Sequence, residues 1–261
     1  MRQASLAMYP FPHLHEAYGS LWEAVVRRLG SGWPAQLTWA DDVAGLWVSP
    51  DMLVAQTCGW PLVTALAGRV RVVGAFAYDV DGAQGPHYRS AIVATRPGTV
   101  ADFVGAVVAV NNPDSLSGWV SLRCAVPEHG PVVWSGAHRQ SLVALQERRA
   151  ELAAIDAVSF AHIAHSAPQL TEGLHLVGRG PLVPSLPLIA PLDLVDADLR
   201  ALREALADAL DDPQLTDVRR HLRIVGFEPL DFADYAPIAD LDPGLYQAQF
   251  RRPTGSSSPQ P

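Results

Sequence analysis

Lysine is missing from this chain of 261 residues: all 19 basic side chains are Arg. That excludes Schiff-base chemistry, a lysine general base and a phosphate-loop lysine before any motif is considered. Cysteine is nearly missing too. Cys58 and Cys124 are too few for a disulfide framework, and without CxxC spacing they form neither a zinc knuckle nor a redox dithiol. No run approaches the roughly 18 apolar residues of a transmembrane helix. Positive charge is outnumbered, 19 Arg against 27 Asp plus Glu, for a net charge of −8, which argues against nucleic acid or an anionic membrane as partner. No GxGxxG follows a strand, no phosphate loop is present, and no Ser-His-Asp order accompanies a nucleophile elbow. The N-terminus MRQASLAMYPFP is not a secretory signal, because Pro10 and Pro12 cut short its apolar stretch. As written, the chain is expected to stay in the cytoplasm, or to act in the periplasm or elsewhere outside it if an export segment is missing.

What is present is a 49% apolar composition in which short apolar runs alternate with helical patterns, the mark of an α/β sheet protein. Strands are expected at Ala4–Tyr9, Gln36–Trp39, Met52–Thr57, Val70–Tyr78, Tyr88–Ala94, Val104–Val110, Ala153–Ala157 and Leu174–Gly178. Helices are expected at Glu16–Leu29, Leu62–Ala67, about Leu116–Cys124, after Ser135 to about Leu152, and at Asp196–Leu210, with turns at Asp42–Val48 and Phe160–Ala164. Two breaks, Asp79–Arg89 and Pro181–Ala190, divide the chain. They assign 1–88 and 187–249 to one lobe and 89–186 to an inserted second lobe, with 250–261 a disordered tail. The architecture is a two-lobed α/β clamshell with two hinge crossings and a cleft at the strand ends.

The strongest local feature is NNPDSLSG, Asn111–Gly118. A buried strand ends in a turn, and the helix that follows begins with two hydroxyls and a glycine. The first amides of a helix lack intrahelical acceptors and carry partial positive charge, so Ser115, Ser117 and Gly118 suit an oxyanion; a plain cap by Asp114 or Ser115 is the alternative. At Cys58-Gly59-Trp60-Pro61, Trp60 could wall a ligand, whereas Cys58 reads as a small buried side chain with no base beside it. His13-x-His15 and His162-x-x-His165 have spacings that metal ligands use, but nearby acidic or Cys partners are lacking. His138, in the first turn of a helix, either points into the cleft or caps. Asp156 ends an apolar strand, where a carboxylate is costly unless it is paired or faces a cleft, and Ser159 shares that position. No cofactor and no metal are expected.

In order, the segments LAMYPFP (Leu6–Pro12), PDMLVAQTCGWPLV (Pro50–Val63), HYRSAIVA (His87–Ala94) and VAVNNPDSLSG (Val108–Gly118) resemble the phosphonate/phosphate-type substrate-binding proteins of ABC transporters, which have the type II periplasmic-binding-protein fold. The match continues through SGAHRQSLVAL (Ser135–Leu145), AAIDAVSF (Ala153–Phe160), PSLPLIAP (Pro184–Pro191) and VGFEPLDFADYAPI (Val225–Ile238). The resemblance implies a ligand held between the lobes. Tyr9 would close one wall, Cys58, Gly59 and Trp60 would line the first lobe, and Tyr88 and Ser90 would sit at the crossing. Ser115, Leu116, Ser117 and Gly118 would receive the anionic head, with His138, Asp156 and Ser159 completing the second lobe. Leu116 departs from the family, whose members often carry a hydroxyl there; a planar carboxylate, a sulfonate or a ligand with an apolar arm becomes more plausible.

The expected function is capture of a small anion, phosphonate- or phosphate-like, by a non-enzymatic monomer, for an ABC permease or as a sensor, with no nucleic acid and no membrane insertion. The alternative is a cytoplasmic enzyme on the same fold that acts on a small carboxylate, of the menaquinone- or thiamine-precursor type, with Asp156 or His138 as general base.

Overall fold

The computed structural model describes residues 2–242 together with 244 and 245. The tail expected at 250–261 lies outside them. The chain opens with β1 (Gln3–Ser5), α1 (His15–Leu29), α2 (Val43–Trp47), β2 (Met52–Gln56), α3 (Gly59–Val63) and β3 (Val70–Tyr78). Two short strands, β4 (Ala83–Gln84) and β5 (His87–Tyr88), carry it away. The middle comprises β6 (Ala91–Ala94), β7 (Val108–Val110), α4 (Ser121–Ala125), β8 (Val132–Trp134), α5 (His138–Gln146), β9 (Leu152–Ile155), α6 (Ala157–Ser166) and β10 (His175–Arg179). The return runs through β11 (Val183–Pro184) to β12 (Pro187–Pro191), α7 (Asp196–Asp211), α8 (Thr216–Leu222), β13 (Ile224–Glu228) and α9 (Phe232–Tyr235).

The strands form two five-stranded sheets, ordered β1-β2-β12-β3-β13 and β10-β6-β9-β7-β8. The two passages between them are themselves paired: β5 lies antiparallel to β11, Tyr88 opposite Val183 and His87 opposite Pro184, in a small sheet completed by β4. The result is a two-lobed α/β clamshell with two crossings held side by side. β2, β6, β7 and β9 are buried at every position, as expected of strands covered on both faces. Helices α1 and α7 pack together over the first sheet, burying Leu21, Trp22 and Val25 from one and Leu199, Leu202 and Leu206 from the other at helical spacing. The core of the first lobe does not end at the crossings. Leu116, Val120, Ala157 and Val158, which follow strands of the second sheet, belong to the same apolar cluster.

Several elements differ from the sequence reading. Gln36–Trp39 makes only one bridge, Leu37 to Ala4; side chains fix it instead, Trp22 donating to the Pro34 carbonyl at 2.8 Å and His15 stacking on Trp39. The helix placed at Leu62–Ala67 starts and stops earlier, ending where Thr64 Oγ1 bonds back to the Trp60 carbonyl at 2.7 Å. The single helix expected from Leu116 is a π-helical turn, Leu116–Val120, followed by α4. Ser135 does not cap α5. Its hydroxyl pairs with Ser141 at 2.7 Å, and the helix stops at Gln146, before Arg148 takes φ 58°, so that Leu152 opens β9 instead. Phe160–Ala164 lies within a longer helix, α6, because Asp156 caps it from Ala157 onward. β8 and β13 carry no period-two signal that sequence alone would reveal.

Candidate ligand site

A cavity of about 840 Å³ opens between the two lobes, and of the residues that the family resemblance placed at a ligand, seven line it: Tyr9, Cys58, Ser115, Ser117, His138, Asp156 and Ser159. Their positions follow from the strand ends. Ser115 stands past the end of β7, His138 begins α5 beyond β8, and Asp156 directly follows β9. Parallel strands whose ends meet at one edge deliver these polar side chains to one place.

Ser115 caps the π-helical turn, its hydroxyl accepting the Gly118 amide at 2.9 Å, which decides between the two capping candidates. Ser117 Oγ and His138 Nε2 share a hydrogen bond of 2.9 Å. Burial drives the His138 imidazole down to about 4, against an opposing pull from the Ala154 backbone, so the ring is neutral at neutral pH. Asp156 is only 2% exposed. One of its oxygens accepts the Ser159 amide at 2.7 Å and caps α6; the other accepts the Tyr9 hydroxyl at 3.2 Å. Burial pushes this carboxyl up, while the hydrogen bonds from Ser159 and Tyr9 act the other way. Burial likewise raises the Cys58 thiol, whose sulfur accepts the Leu116 amide at 3.4 Å as a structural acceptor.

The other six residues do not line the cavity. Trp60 and Tyr88 are core side chains, and Ser90 pairs with Ser121 at 3.2 Å behind the site. Gly59 and Leu116 meet across the two lobes: a Cβ on Gly59 would stand 2.8 Å from Leu116 Cδ2. Leu116 therefore points into the first lobe's core, and only its amide faces the site's framework. Gly118 gives room to a neighbour, not to a ligand. A Cβ there would overlap the Asn111 carboxamide oxygen.

Sequence reasoning missed part of the wall. Asn111 lines the cavity with a buried Oδ1 that has no partner among the described residues. Asp41, Asp42 and Trp47 enter from the segment before β2, where Asp42 caps α2 by accepting the Gly45 amide at 2.8 Å. Among the described residues, Arg139 is the only guanidinium on this wall, beside the carboxylates Asp41, Asp42, Asp114 and Asp156. The wall thus carries more carboxylates than guanidinium groups, together with hydroxyls and a neutral imidazole.

The family model described as ABC transporter, phosphonate, periplasmic substrate-binding protein matches residues 13–235. The chain belongs to this family. Its members are solute-binding components, and that is the role of this chain. No helix among the described residues is long and apolar enough to cross a membrane. A search of the curated proteins gives no match. Among solved structures, the fold is similar to that of PhnD1 from Prochlorococcus marinus in complex with methylphosphonate (TM-score 0.73, 13% identity, 94% of this chain and 97% of that one). It is similar to a binding protein component of an ABC phosphonate transporter from Pseudomonas aeruginosa (TM-score 0.71, 14% identity, 98% and 90% covered). XAC2383 from Xanthomonas citri, bound to ATP, has a TM-score of 0.68 at 14% identity, with 95% and 98% covered. At these identities the likeness supports the fold; the family match supports the role.

Proposed function

We propose that this protein captures an anion with a phosphonate- or phosphate-like head, holds it without chemical change between a first lobe of residues 1–88 and 187–249 and a second of 89–186, and delivers it to an ABC permease outside the cytoplasm. The observation that carries this reading is the Ser117–His138 pair beside Ser115, in a cavity that both lobes line. A neutral imidazole and two hydroxyls can donate to or accept from a head group without requiring a fixed opposite charge. Catalysis is disfavoured by the same geometry. Asp156, one of the two general-base candidates, is engaged by Tyr9 and Ser159. The cavity's 840 Å³ lies toward the upper end of small-molecule sites, so it has room for a ligand with an arm beyond its head. Methylphosphonate and ATP, found in two relatives, bracket the size range to screen.

The test is a thermal-shift and calorimetric panel of phosphate, alkyl- and aminoalkylphosphonates, sulfonates, carboxylates and ATP. At 100 times its dissociation constant a ligand stabilises by about 2.7 kcal/mol. The hit should be recovered unchanged after incubation. Ser115→Ala with Ser117→Ala should weaken it by about 1.5–3 kcal/mol for each lost bond to a charged head. A hit that is consumed, or one indifferent to both serines, overturns the reading.

A further inference from the structure

Histidines that stand far apart in sequence meet in the fold. His13 follows β1, while His162 and His165 lie one turn apart on α6. The rings of His13 and His162 have centroids 6.0 Å apart, and His13 lies 5.9 Å from His221 of α8. These four imidazoles, with Arg220 and Arg223, wall a second cavity of about 350 Å³. His13 lines both cavities, so the two share a wall.

The chemistry of the second cavity differs from that of the first. Among the described residues its only carboxylate is Asp217, which pairs with Arg220 at 2.6 Å. Arg223 is held at φ 56° as the left-handed cap of α8, a conformation uncommon outside glycine. His162 is 2% exposed, and its Nε2 has no partner among the described residues. Among the described residues no three ligand-type side chains converge as a metal requires, and two guanidinium groups would repel a cation.

We propose that this seam is a second anion site, taking a soluble multivalent oxyanion of the phosphate or sulfate type on Arg223 and the imidazole N–H groups of His13, His162, His165 and His221. Protonation of two of these rings is already suppressed. His13 is lowered by burial, then by His221, His165 and His15; His162 is lowered to about 4 by burial, then by Arg223 and His13, with the Leu222 backbone opposing. An anion reverses the Coulombic part of those shifts, so its binding takes up protons and tightens as pH falls. His13, His221 and Arg223 flank strands of the first sheet, whereas α6 follows β9 of the second. A bound anion thus bridges the lobes and favours their closed arrangement, independently of what fills the main cleft.

Sulfate is the probe, since it stays a dianion from about pH 5.5 to 7.5, and histidine NMR of the full chain at constant ionic strength in sodium chloride is the readout. Sulfate should raise the titration midpoints of His13 and His162 and bind more tightly at the lower pH. Arg223→Asn, which tolerates the left-handed backbone, and the exposed His221→Gln should each weaken it by about tenfold. Ser115→Ala with Ser117→Ala should leave sulfate binding at the seam unchanged. The proposal fails if sulfate moves neither midpoint, or if neither seam variant weakens it. It also fails if the serine pair alone abolishes binding; that outcome puts sulfate in the main cleft and leaves the anion-capture reading intact. Should Arg223→Asn not fold, His221→Gln decides.

Discussion

Gly118 is fixed by a side chain seven residues earlier. The Asn111 carboxamide lies where a Cβ would go, with its Cγ 2.9 Å from that position, and Ser115 Oγ is 3.1 Å away on the other side. Gly118→Ala must push Asn111 toward the cavity or break the cap. Overpacking of this kind costs about 1–3 kcal/mol. A fall in Tm of several degrees is expected, with partial recovery in Gly118→Ala with Asn111→Ala, because the second change removes the obstacle. Calorimetric melts of both variants check this, and an unchanged Tm for Gly118→Ala alone would show that the carboxamide is not lodged there. Ser115, Ser117 and Asp156 were legible in the sequence because each stands at the end of an apolar run that reads as a strand, where a polar residue faces the edge of the sheet; His138 was legible only as the first turn of a helical pattern, since β8 before it gave no strand signal. Asp41, Asp42, Trp47 and Arg139 were not, since only the tertiary path of a loop or the phase of a helix brings them to the wall. Asn111 was visible only as a neighbour of the serines.

At the scale of elements, the π-helical turn and α3 act as one joint. Leu116 begins the turn, its amide donates to Cys58 Sγ at 3.4 Å, and its side chain fills the space that Gly59 leaves open beside Ile238. A Cβ on Gly59 would stand 2.8 Å from Leu116 Cδ2 and 2.9 Å from Ile238 Cδ1, both ends of flexible side chains. Gly59→Ala is therefore expected to loosen the joint between lobes and leave each lobe folded. Small-angle scattering without ligand should show a larger radius of gyration, and Gly59→Ala with Leu116→Ala should return toward the parent value. If Gly59→Ala leaves the radius unchanged, Leu116 does not hold the lobes together. This packing gives Leu116 a structural role between the lobes. The sequence located the corner at Cys58–Pro61 and the turn at Asn111–Gly118, but not their contact. That contact joins residues on either side of a crossing, and no local period encodes it. The same limit explains β8 and β13, short edge or near-edge strands whose pairing partners decide their state.

Across the whole molecule, the two crossings and the shared apolar cluster make closure and stability depend on the same groups. Two buried or half-buried imidazoles, His138 and His162, both titrate near 4 in the folded chain, well below an ordinary histidine. Folding therefore opposes their protonation, and the unfolded chain binds more protons as pH falls through the ordinary histidine range. Stability should drop from about pH 6.5 down to about pH 4, where the folded imidazoles also charge. Asp156 works in the opposite direction. Its carboxyl is raised by burial, so the folded chain takes up a proton there first and regains some stability in the lower, carboxylate part of that window. Guanidinium unfolding midpoints measured at intervals from about pH 7.5 to 4 should decline, and His138→Gln should flatten part of the decline while removing the partner of Ser117. A midpoint that holds level over this range would mean that His138 and His162 are solvated in the native state, and the neutral imidazole assigned to the ligand site would have to be abandoned.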